Sequence, residues 1–218
     1  TLTTLGISYV ANATLHGRPT KLHIEKIKFK TTSLDRTAVL TDTTITTMDD
    51  VVIEGYSGDH NGTLINEFTG KADGKDAKYA RWKEKNGGAV SINNADYTNE
   101  NHDANTPSLK DVEVKYCCRG IRIQDSTKIY VKDCSVYNIS DNAFYFAASQ
   151  SINGTVIGNG CQDCTVDNCT AELTGQHGLI NMGGDNNTFK DCDVSGTRGT
   201  GGANFNTNGD ITYDNCTF

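Results

Sequence analysis

Short runs of alternating apolar and polar residues recur along the chain, each bounded by glycine, asparagine, aspartate or threonine. The clearest runs lie at 21–30, 120–124, 143–147, 178–182 and 202–206. Alternation with a period of two places successive side chains on opposite faces of a strand, so each run predicts a β-strand with one buried face. Few stretches carry leucine, alanine, glutamate and lysine at helical spacing. The pattern therefore predicts an all-β chain.

One six-residue pattern that ends in cysteine returns several times. It reads Ile-Tyr-Val-Lys-Asp-Cys at 129–134, with related versions at 112–117, 164–169, 187–192 and 211–216. Two earlier versions, at 23–27 and 52–56, end in an apolar residue instead. The period is near 23 residues, as between Cys169 and Cys192. A period of this length predicts a solenoid, in which each repeat stacks on the one before it.

Stacking the repeats in register predicts which side chains point inward and which point outward. Two inward rows are expected, one of Ile121, Phe144, Leu179 and Ala203, the other of Ile123, Phe146, Asn181 and Phe205. The outward row is expected to contain Ser91, Arg122, Tyr145, Ile180 and Asn204. Loops are predicted at about 70–86, 94–107 and 148–163, with about two coils between residues 56 and 112.

The most regular stretch identifies a family resemblance. The rhythm Gly-Ile-Arg-Ile-Gln-Asp-Ser-Thr-Lys-Ile-Tyr-Val-Lys-Asp-Cys-Ser-Val-Tyr-Asn at 120–138 resembles the pectate-lyase-like superfamily. The resemblance covers roughly residues 24–218. It implies an all-β fold, a single-stranded right-handed parallel β-helix of roughly eight to nine coils, that makes one domain of residues 1–218. The chain is expected to be a fragment of a longer protein.

The same resemblance implies a function. The superfamily contains pectate and alginate lyases, polygalacturonases, epimerases and phage tailspikes, and most members act on or bind polysaccharide. The chain is therefore expected to be lyase-like or a tailspike-type depolymerase, extracellular or virion-associated, with a polysaccharide or cell-surface glycan as partner. A homotrimer is expected only in the tailspike case. The alternative is a noncatalytic structural or receptor-binding segment of a virus fibre or surface adhesin.

Charge and composition narrow the choice of partners. The formal net charge is −7 and the pI is about 5.1. Because nucleic-acid binding normally requires a basic face, nucleic acid is not expected as a partner. The sequence also lacks the run of about 18 apolar residues that a membrane-spanning helix would need.

The eight cysteines are interpreted as core residues before any metal site is considered. Cys117, Cys134, Cys169, Cys192 and Cys216 end the repeat pattern, so they are expected to form a stacked, reduced ladder inside the solenoid. A disulfide between neighbouring coils remains the alternative. Cys161 and Cys164 have the spacing of a zinc or redox pair, but no second pair follows, so no metal site is predicted.

Candidate catalytic residues come from the turns and the outward row. Lyase chemistry needs a base and a cation that neutralises the uronate carboxylate, whereas glycosidic hydrolysis needs two carboxyl groups. Asp141, His177 and Arg122 are the candidates for catalysis. The paired aspartates of polygalacturonases are missing, so that mechanism is not expected. No cofactor is predicted, and calcium is expected only if the protein is a lyase.

Candidate substrate-binding residues are aromatic or basic. They are Tyr145, Arg119, Arg198, Trp82 and Tyr79, the last two in the first predicted loop. Aromatic rings pack against sugar faces, and guanidinium groups bind carboxylates. The repeat alignment places Arg119, Asn142 and His177 at equivalent positions, so these residues are expected to stack near one another.

Overall fold

The computed structural model describes residues 7–9, 20–30, 38–55, 88–117, 119–139, 141–149, 158–204 and 209–218. All regular structure in these ranges is β. The strands are β1 (Ile7–Tyr9), β2 (Lys21–Lys30), β3 (Val39–Asp42), β4 (Ile45–Glu54), β5 (Gly88–Asn93), β6 (Leu109–Lys115), β7 (Arg119–Gln124), β8 (Tyr130–Lys132), β9 (Ser135–Ile139), β10 (Phe144–Ala147), β11 (Cys161–Gln162), β12 (Thr165–Asp167), β13 (Thr170–Thr174), β14 (Leu179–Asn181), β15 (Gly184–Asp185), β16 (Asn187–Lys190), β17 (Asp193–Ser195), β18 (Gly202–Asn204) and β19 (Ile211–Asp214).

These strands form three sheets in which the pairing is parallel. One sheet has seven strands in the order β1-β3-β5-β7-β10-β14-β18. A second, strongly curled sheet has ten strands, and β11 with β15 forms a small third sheet. The strand order follows the chain order with regular skips, so each repeat lies on the one before it. The all-β prediction is confirmed, and the parallel, curled sheets are consistent with a β-solenoid.

We call one strand of the seven-stranded sheet, together with the strands that follow it in the other sheets, a level. The described residues form seven levels, beginning with β1 and ending with β18 and β19. The sequence predicted eight to nine coils, about two of them between residues 56 and 112. β3 pairs directly with β5 and β4 pairs directly with β6, so no strand from residues 56–87 lies between the second and third levels. Residues 56–87 themselves lie outside the described residues.

The chain turns its corners at residues with positive φ. Among the described residues, every non-glycine residue of this kind falls in one of four columns that run along the stack. The longest column, which we call the Asx column, contains Lys26, Asp50, Asp111, Asp133, Asn168, Asp191 and Asn215. Asn and Asp tolerate the left-handed conformation better than other side-chain-bearing residues. The two pairs Asn168–Asp133 and Asn215–Asp191 are joined across levels by amide-to-carboxylate hydrogen bonds of 2.6 Å.

The residue after each corner of the Asx column points into the core. This inward column contains Ile27, Val51, Val112, Cys134, Cys169, Cys192 and Cys216. The cysteines in it have free thiols, and Cys134, Cys169 and Cys192 are at most 2% exposed. The predicted reduced ladder is thus present for four cysteines.

The placement of Cys117 in that ladder was wrong. Val114 pairs with Val136, so Cys117 lies level with Ile139, five positions beyond the inward column. Val112 occupies the column in this level. The segment 112–117 carries a cysteine after the same kind of strand, but its true corner is Asp111, which has a φ of 49°.

The predicted rows of the seven-stranded sheet hold for most of their length. Ile121, Phe144 and Leu179 pair in register. In the last level the prediction was one residue out of register, because Leu179 pairs with Gly202 and Ile180 pairs with Ala203. The outward row therefore continues from Ile180 to Ala203 and not to Asn204. Phe205 lies outside the described residues.

Two of the predicted loops are partly built into the stack. In the segment 94–107, Ala95 and Tyr97 are buried, and the Tyr97 hydroxyl donates a 2.7 Å hydrogen bond to the carbonyl of Thr46. In the segment 148–163, Cys161 and Gln162 form β11, which pairs with β15. The predicted loop 70–86 lies outside the described residues. Within the described ranges, no helix has the length and apolar character needed to cross a membrane.

Candidate functional site

Four predicted site residues meet on the outward side of β7 and β10. Tyr145 of β10 pairs with Arg122 of β7, and Arg119 lies at the start of the same strand β7. The Tyr145 ring centroid lies 5.8 Å from the guanidinium carbon of Arg119 and 5.8 Å from that of Arg122. Asp141 lies in the turn before β10 and contacts Arg119. We call Arg119, Arg122, Asp141 and Tyr145 the Tyr145 cluster.

Asp141 is neutralised by Arg119. Its carboxylate accepts a hydrogen bond from Nε of Arg119, and the side chains are only 9% and 21% exposed, respectively. Removing one partner from a largely buried ion pair leaves the other charge uncompensated, which is costly. The Asp141 carboxylate is therefore already engaged by Arg119 and is not free to contact a ligand without breaking this pair.

Arg122 is held by side chains of its own sheet. Its Nη1 donates to Ser91 Oγ at 3.4 Å and to Asn93 Oδ1 at 3.3 Å, and its Nη2 donates to Gln124. Its Nε is buried without a hydrogen-bond partner. Burial lowers the pKa of Arg122, and the nearby charge of Arg119 acts in the same direction. Since arginine stays protonated in proteins, a fixed positive charge lies under the Tyr145 ring.

Tyr145 is a neutral phenol in this environment. Burial raises its pKa, while the positive charges of Arg122 and Arg119 oppose the rise. Its hydroxyl lies 3.1 Å from the sulfur of Met182 on the neighbouring level. The ring is half-buried, so one part remains available for contact with a ligand. The geometry supports a binding role for Tyr145 and gives no reason for it to act as a base.

His177 lies one level beyond Asp141, as the repeat alignment predicted. The chain of backbone hydrogen bonds from Gly120 to Asn142 and from Ala143 to His177 places Arg119, Asn142 and His177 in one stack. Nδ1 of His177 lies 2.8 Å from the Thr200 hydroxyl and 3.2 Å from the Thr200 backbone nitrogen, so this ring nitrogen is already engaged with Thr200. Burial lowers the pKa of His177, and the negative charge of Asp141 partly offsets this.

The remaining predicted site residues are not part of this group. Arg198 is exposed in the turn before β18, three levels beyond Arg119. Because neighbouring levels lie about 4.8 Å apart, this is a separation of roughly 14 Å along the stack. Trp82 and Tyr79 lie outside the described residues.

The sequence analysis missed a second layer of residues that fixes Arg122. Gln124 bonds Arg122 on one side and donates from Nε2 to Ser149 Oγ at 2.7 Å on the other. The Asp125 carboxylate accepts hydrogen bonds from the backbone of Ser149 and of Gly160, so it joins the two sides of the segment 150–157. One signal could have found Gln124, because Asn93 and Gln124 both lie two residues after an outward-row residue and pair in register.

The outward row is not an open surface along its whole length. Ser91 is 4% exposed and Ile180 is 1% exposed. Arg122 and Tyr145, which lie between these two residues, are half-buried, and so are Leu40 and Ala203 at the two ends of the row. Among the described side chains of the row, the partly accessible polar ones are therefore those of Arg122 and Tyr145. In the described part of the chain, no group of three or more histidine, cysteine, aspartate or glutamate side chains could hold a metal ion.

Comparisons with protein-family models, with curated proteins and with solved structures gave no match to this chain.

Proposed function

We propose that this chain is part of a right-handed parallel β-helix protein that acts on an acidic polysaccharide at the Tyr145 cluster. The observation that carries this proposal is the half-buried Tyr145 ring, whose centroid lies 5.8 Å from the guanidinium carbons of both Arg119 and Arg122. An aromatic ring offers a flat apolar face to a sugar ring. A guanidinium group binds a carboxylate through paired donors. A ligand that carries both features is a polymer of uronic or other acidic sugars.

The catalytic form of the proposal is a lyase-like enzyme or a tailspike-type depolymerase. Arg122 and Arg119 would neutralise the substrate carboxylate, which makes the proton on the neighbouring carbon easier to remove. His177 is the candidate base, but its Nδ1 is already engaged with Thr200. It would have to break the contact with Thr200 before it could accept a proton. In this form calcium is expected as an additional cation.

In the noncatalytic form of the proposal, the Tyr145 cluster binds the glycan but catalyses no reaction. Two observations favour it: Asp141 is neutralised by Arg119, and the acceptor nitrogen of His177 is already bonded. The protein would then be a receptor-binding segment of a virus fibre or a surface adhesin that holds a cell-surface glycan. Both forms imply an extracellular or virion-associated location, and the tailspike form implies a homotrimer.

Binding is tested with a panel of alginate, pectate, glycosaminoglycans and bacterial capsule, measured by isothermal titration calorimetry. Tyr145→Ala and Arg119→Ala are expected to weaken binding at least tenfold, because each removes a group that contacts the sugar. Lys190→Ala, which removes a half-exposed positive charge on the curled sheet, is the matched control and should bind as the unchanged chain does. If no polysaccharide binds, or the control loses as much affinity, the proposal is wrong.

Catalysis is tested on the same panel by release of unsaturated, ultraviolet-absorbing products and of reducing ends. Absorbing products that His177→Ala and Asp141→Asn both abolish would establish a lyase. Reducing ends without that absorbance would indicate hydrolysis. Binding without either product would establish the noncatalytic form.

A further inference from the structure

The two methionines of the chain lie in contrasting surroundings. Met48, in β4, is 1% exposed and belongs to the hydrophobic core. Met182 directly follows β14 and is half-buried. Oxidation of a thioether requires that the oxidant reach the sulfur, so exposure decides which methionine can react. Met182 is therefore the methionine that an oxidant in solution can reach.

Met182 lies on the same side of the seven-stranded sheet as Tyr145. Tyr145 pairs with Ile180 of β14, and Met182 comes two residues later, so both side chains project outward. The backbone N–H of Met182 donates a 2.8 Å hydrogen bond to the carbonyl of Phe146, which extends the strand pairing by one residue. Met182 is thus a diagonal neighbour of Tyr145 on the adjacent level, within reach of an aromatic side chain.

The side chains of Tyr145 and Met182 are in direct contact. The Tyr145 hydroxyl lies 3.1 Å from the Met182 sulfur, and no other hydrogen-bond partner of this hydroxyl lies among the described residues. A thioether sulfur is only a weak acceptor. The Met182 sulfur therefore forms one wall of the place that the Tyr145 ring occupies beside Arg119 and Arg122.

The backbone at Met182 has little room to move. Its N–H is bonded to Phe146, as described above. Gly183 follows it, and a Cβ built on Gly183 would collide with the Cβ of Ala148. A group added to the Met182 sulfur therefore cannot be accommodated by a shift of this segment, and the Tyr145 ring has to move instead.

We propose that Met182 is an oxidation site and that its oxidation displaces Tyr145. The oxidant is hydrogen peroxide. A lone pair of the sulfur attacks one peroxide oxygen, the O–O bond breaks, and proton transfer releases the other oxygen as water. The thioether is oxidised to a sulfoxide and the peroxide is reduced. The sulfoxide is polar, and its oxygen accepts hydrogen bonds more strongly than the thioether sulfur does.

The added oxygen has no space between the sulfur and the hydroxyl, because these two atoms already touch. The hydroxyl bonds to that oxygen at about 2.7 Å, which sets the sulfur farther away and moves the ring from its place beside Arg119 and Arg122. Ligand binding at the Tyr145 cluster is weakened in this way, and a sulfoxide reductase restores it. The oxidation and the ring displacement need no ligand, whereas the loss of binding rests on the proposed function.

The site of oxidation is identified by exposing the folded chain to hydrogen peroxide and measuring peptide masses. The Met182 peptide should gain one oxygen atom while the Met48 peptide stays unmodified. In urea, where the chain is unfolded, both methionines should be oxidised at equal rates. Equal oxidation of Met48 and Met182 in the folded chain, or none at Met182, would overturn the proposal.

NMR spectra of the tyrosine rings measure the displacement, and Tyr145→Phe identifies the signals of Tyr145. These signals should shift on oxidation and return after treatment with the two methionine sulfoxide reductases, one for each epimer. Met182→Leu is the matched control, since leucine has a similar volume and no sulfur to oxidise. The proposal is wrong if peroxide shifts the Tyr145 signals in Met182→Leu as well, or shifts them in neither chain.

Polysaccharide binding is then compared before and after peroxide for each chain. Oxidation should weaken binding several-fold in the original chain and leave the affinity of Met182→Leu where it was before treatment. A chain that binds no polysaccharide even before oxidation would overturn the proposed function alone, and the ring signals would still decide whether Met182 controls Tyr145. Unchanged binding after full oxidation of Met182 would show that this residue does not regulate the Tyr145 cluster.

Discussion

The imidazole of His177 is neutral at physiological pH because of where the repeat places it. Burial lowers its pKa, and the negative charge of Asp141, one level away, partly offsets this. The NMR titration midpoint of His177 is therefore expected below about 6.5, the ordinary value for histidine. Asp141→Asn should lower the midpoint further, because it removes the charge that favours the imidazolium. A higher midpoint in Asp141→Asn would contradict this account.

The lowered pKa of His177 also makes the stability of the folded chain depend on pH. A histidine with a lowered pKa in the folded state is protonated first in the unfolded state as the pH falls. Stability is therefore lost as the pH falls through the ordinary histidine value, and the loss is complete below the folded-state pKa. His177→Gln is expected to flatten this part of the unfolding curve, measured by urea denaturation between pH 5 and pH 8, the range in which histidine titrates.

For single residues, the sequence predicted which positions stack on one another better than it predicted which side chains are in contact. The equivalence of Arg119, Asn142 and His177 followed from counting residues between strands, and the register confirms it. The Arg119–Asp141 pair and the contact between Thr200 and Nδ1 of His177 could not be predicted. Each depends on which rotamers fit between levels, and the repeat pattern contains no information about rotamers.

Among the elements, the corners of the Asx column explain why asparagine and aspartate recur before each inward residue. Asn168 has a φ of 50° and donates a hydrogen bond to Asp133 in the next level. Asn168→Gly would lose this bond but keep the corner conformation, whereas Asn168→Ala would also force alanine into the left-handed region. We expect the alanine variant to be less stable than the glycine variant by about 1 kcal/mol.

Urea denaturation followed by circular dichroism measures this difference. Asn159→Ala and Asn159→Gly, at an asparagine outside the positive-φ columns, serve as the matched pair. The corner interpretation fails if alanine at position 168 is as stable as glycine there.

The inward cysteines are expected to resist alkylation in the folded protein. Burial raises the pKa of the Cys192 thiol to about 12, and the thiolate is the reactive form. A pulse of iodoacetamide at pH 8 followed by mass spectrometry should leave Cys134, Cys169 and Cys192 unmodified. Cys216, half-buried in the last level, should react faster than these three.

A sample unfolded in urea is the control, and there all of these cysteines should react equally. Rapid labelling of Cys169 in the folded protein would mean that the stack opens locally at this position.

The error at Cys117 shows what the six-residue pattern misses. The six-residue pattern aligns the repeats by their cysteine, whereas in the structure the repeats align by the positive-φ corner residue. The two alignments agree only from Cys134 onward. In the third level the corner is Asp111 and the inward residue is Val112. Aspartate or asparagine before a small apolar residue is the better signal, because only the corner constrains the backbone.

For the whole molecule, residues 56–87 connect two levels whose strands already pair directly with each other. The next connection between levels is much shorter, because only three residues join β6 to β7. A chain in which residues 57–86 are replaced by a four-residue Gly/Ser linker is therefore expected to fold with an unchanged circular dichroism spectrum. Its melting temperature should stay within a few degrees of the original, since the levels keep their contacts.

The shortened chain also tests the predicted sugar-binding role of Trp82 and Tyr79, because both are removed. If it binds polysaccharide as tightly as the intact chain, these two residues do not contribute. A shortened chain that does not fold would show that the excursion stabilises the stack.

At this scale the sequence predicted the architecture class but not the number of levels. The repeat and the alternation of Ile121, Arg122 and Ile123 were sufficient for a stack of parallel strands. They could not show that β3 pairs directly with β5, because Leu64 to Phe68, between these strands in the sequence, alternates like a strand. Whether such a segment joins the stack depends on which strands reach each other first, and a local pattern does not contain that information.

The in-register columns also have an evolutionary meaning. From the second level onward, each level offers its neighbour the same kinds of residue, an Asp or Asn at the corner and a valine or cysteine after it. A tandem gene duplication of one period, about 23 residues, would therefore insert a unit that fits both of its neighbours without compensating changes. A protein of this kind can lengthen or shorten by whole units over evolutionary time, while the Tyr145 cluster is kept intact.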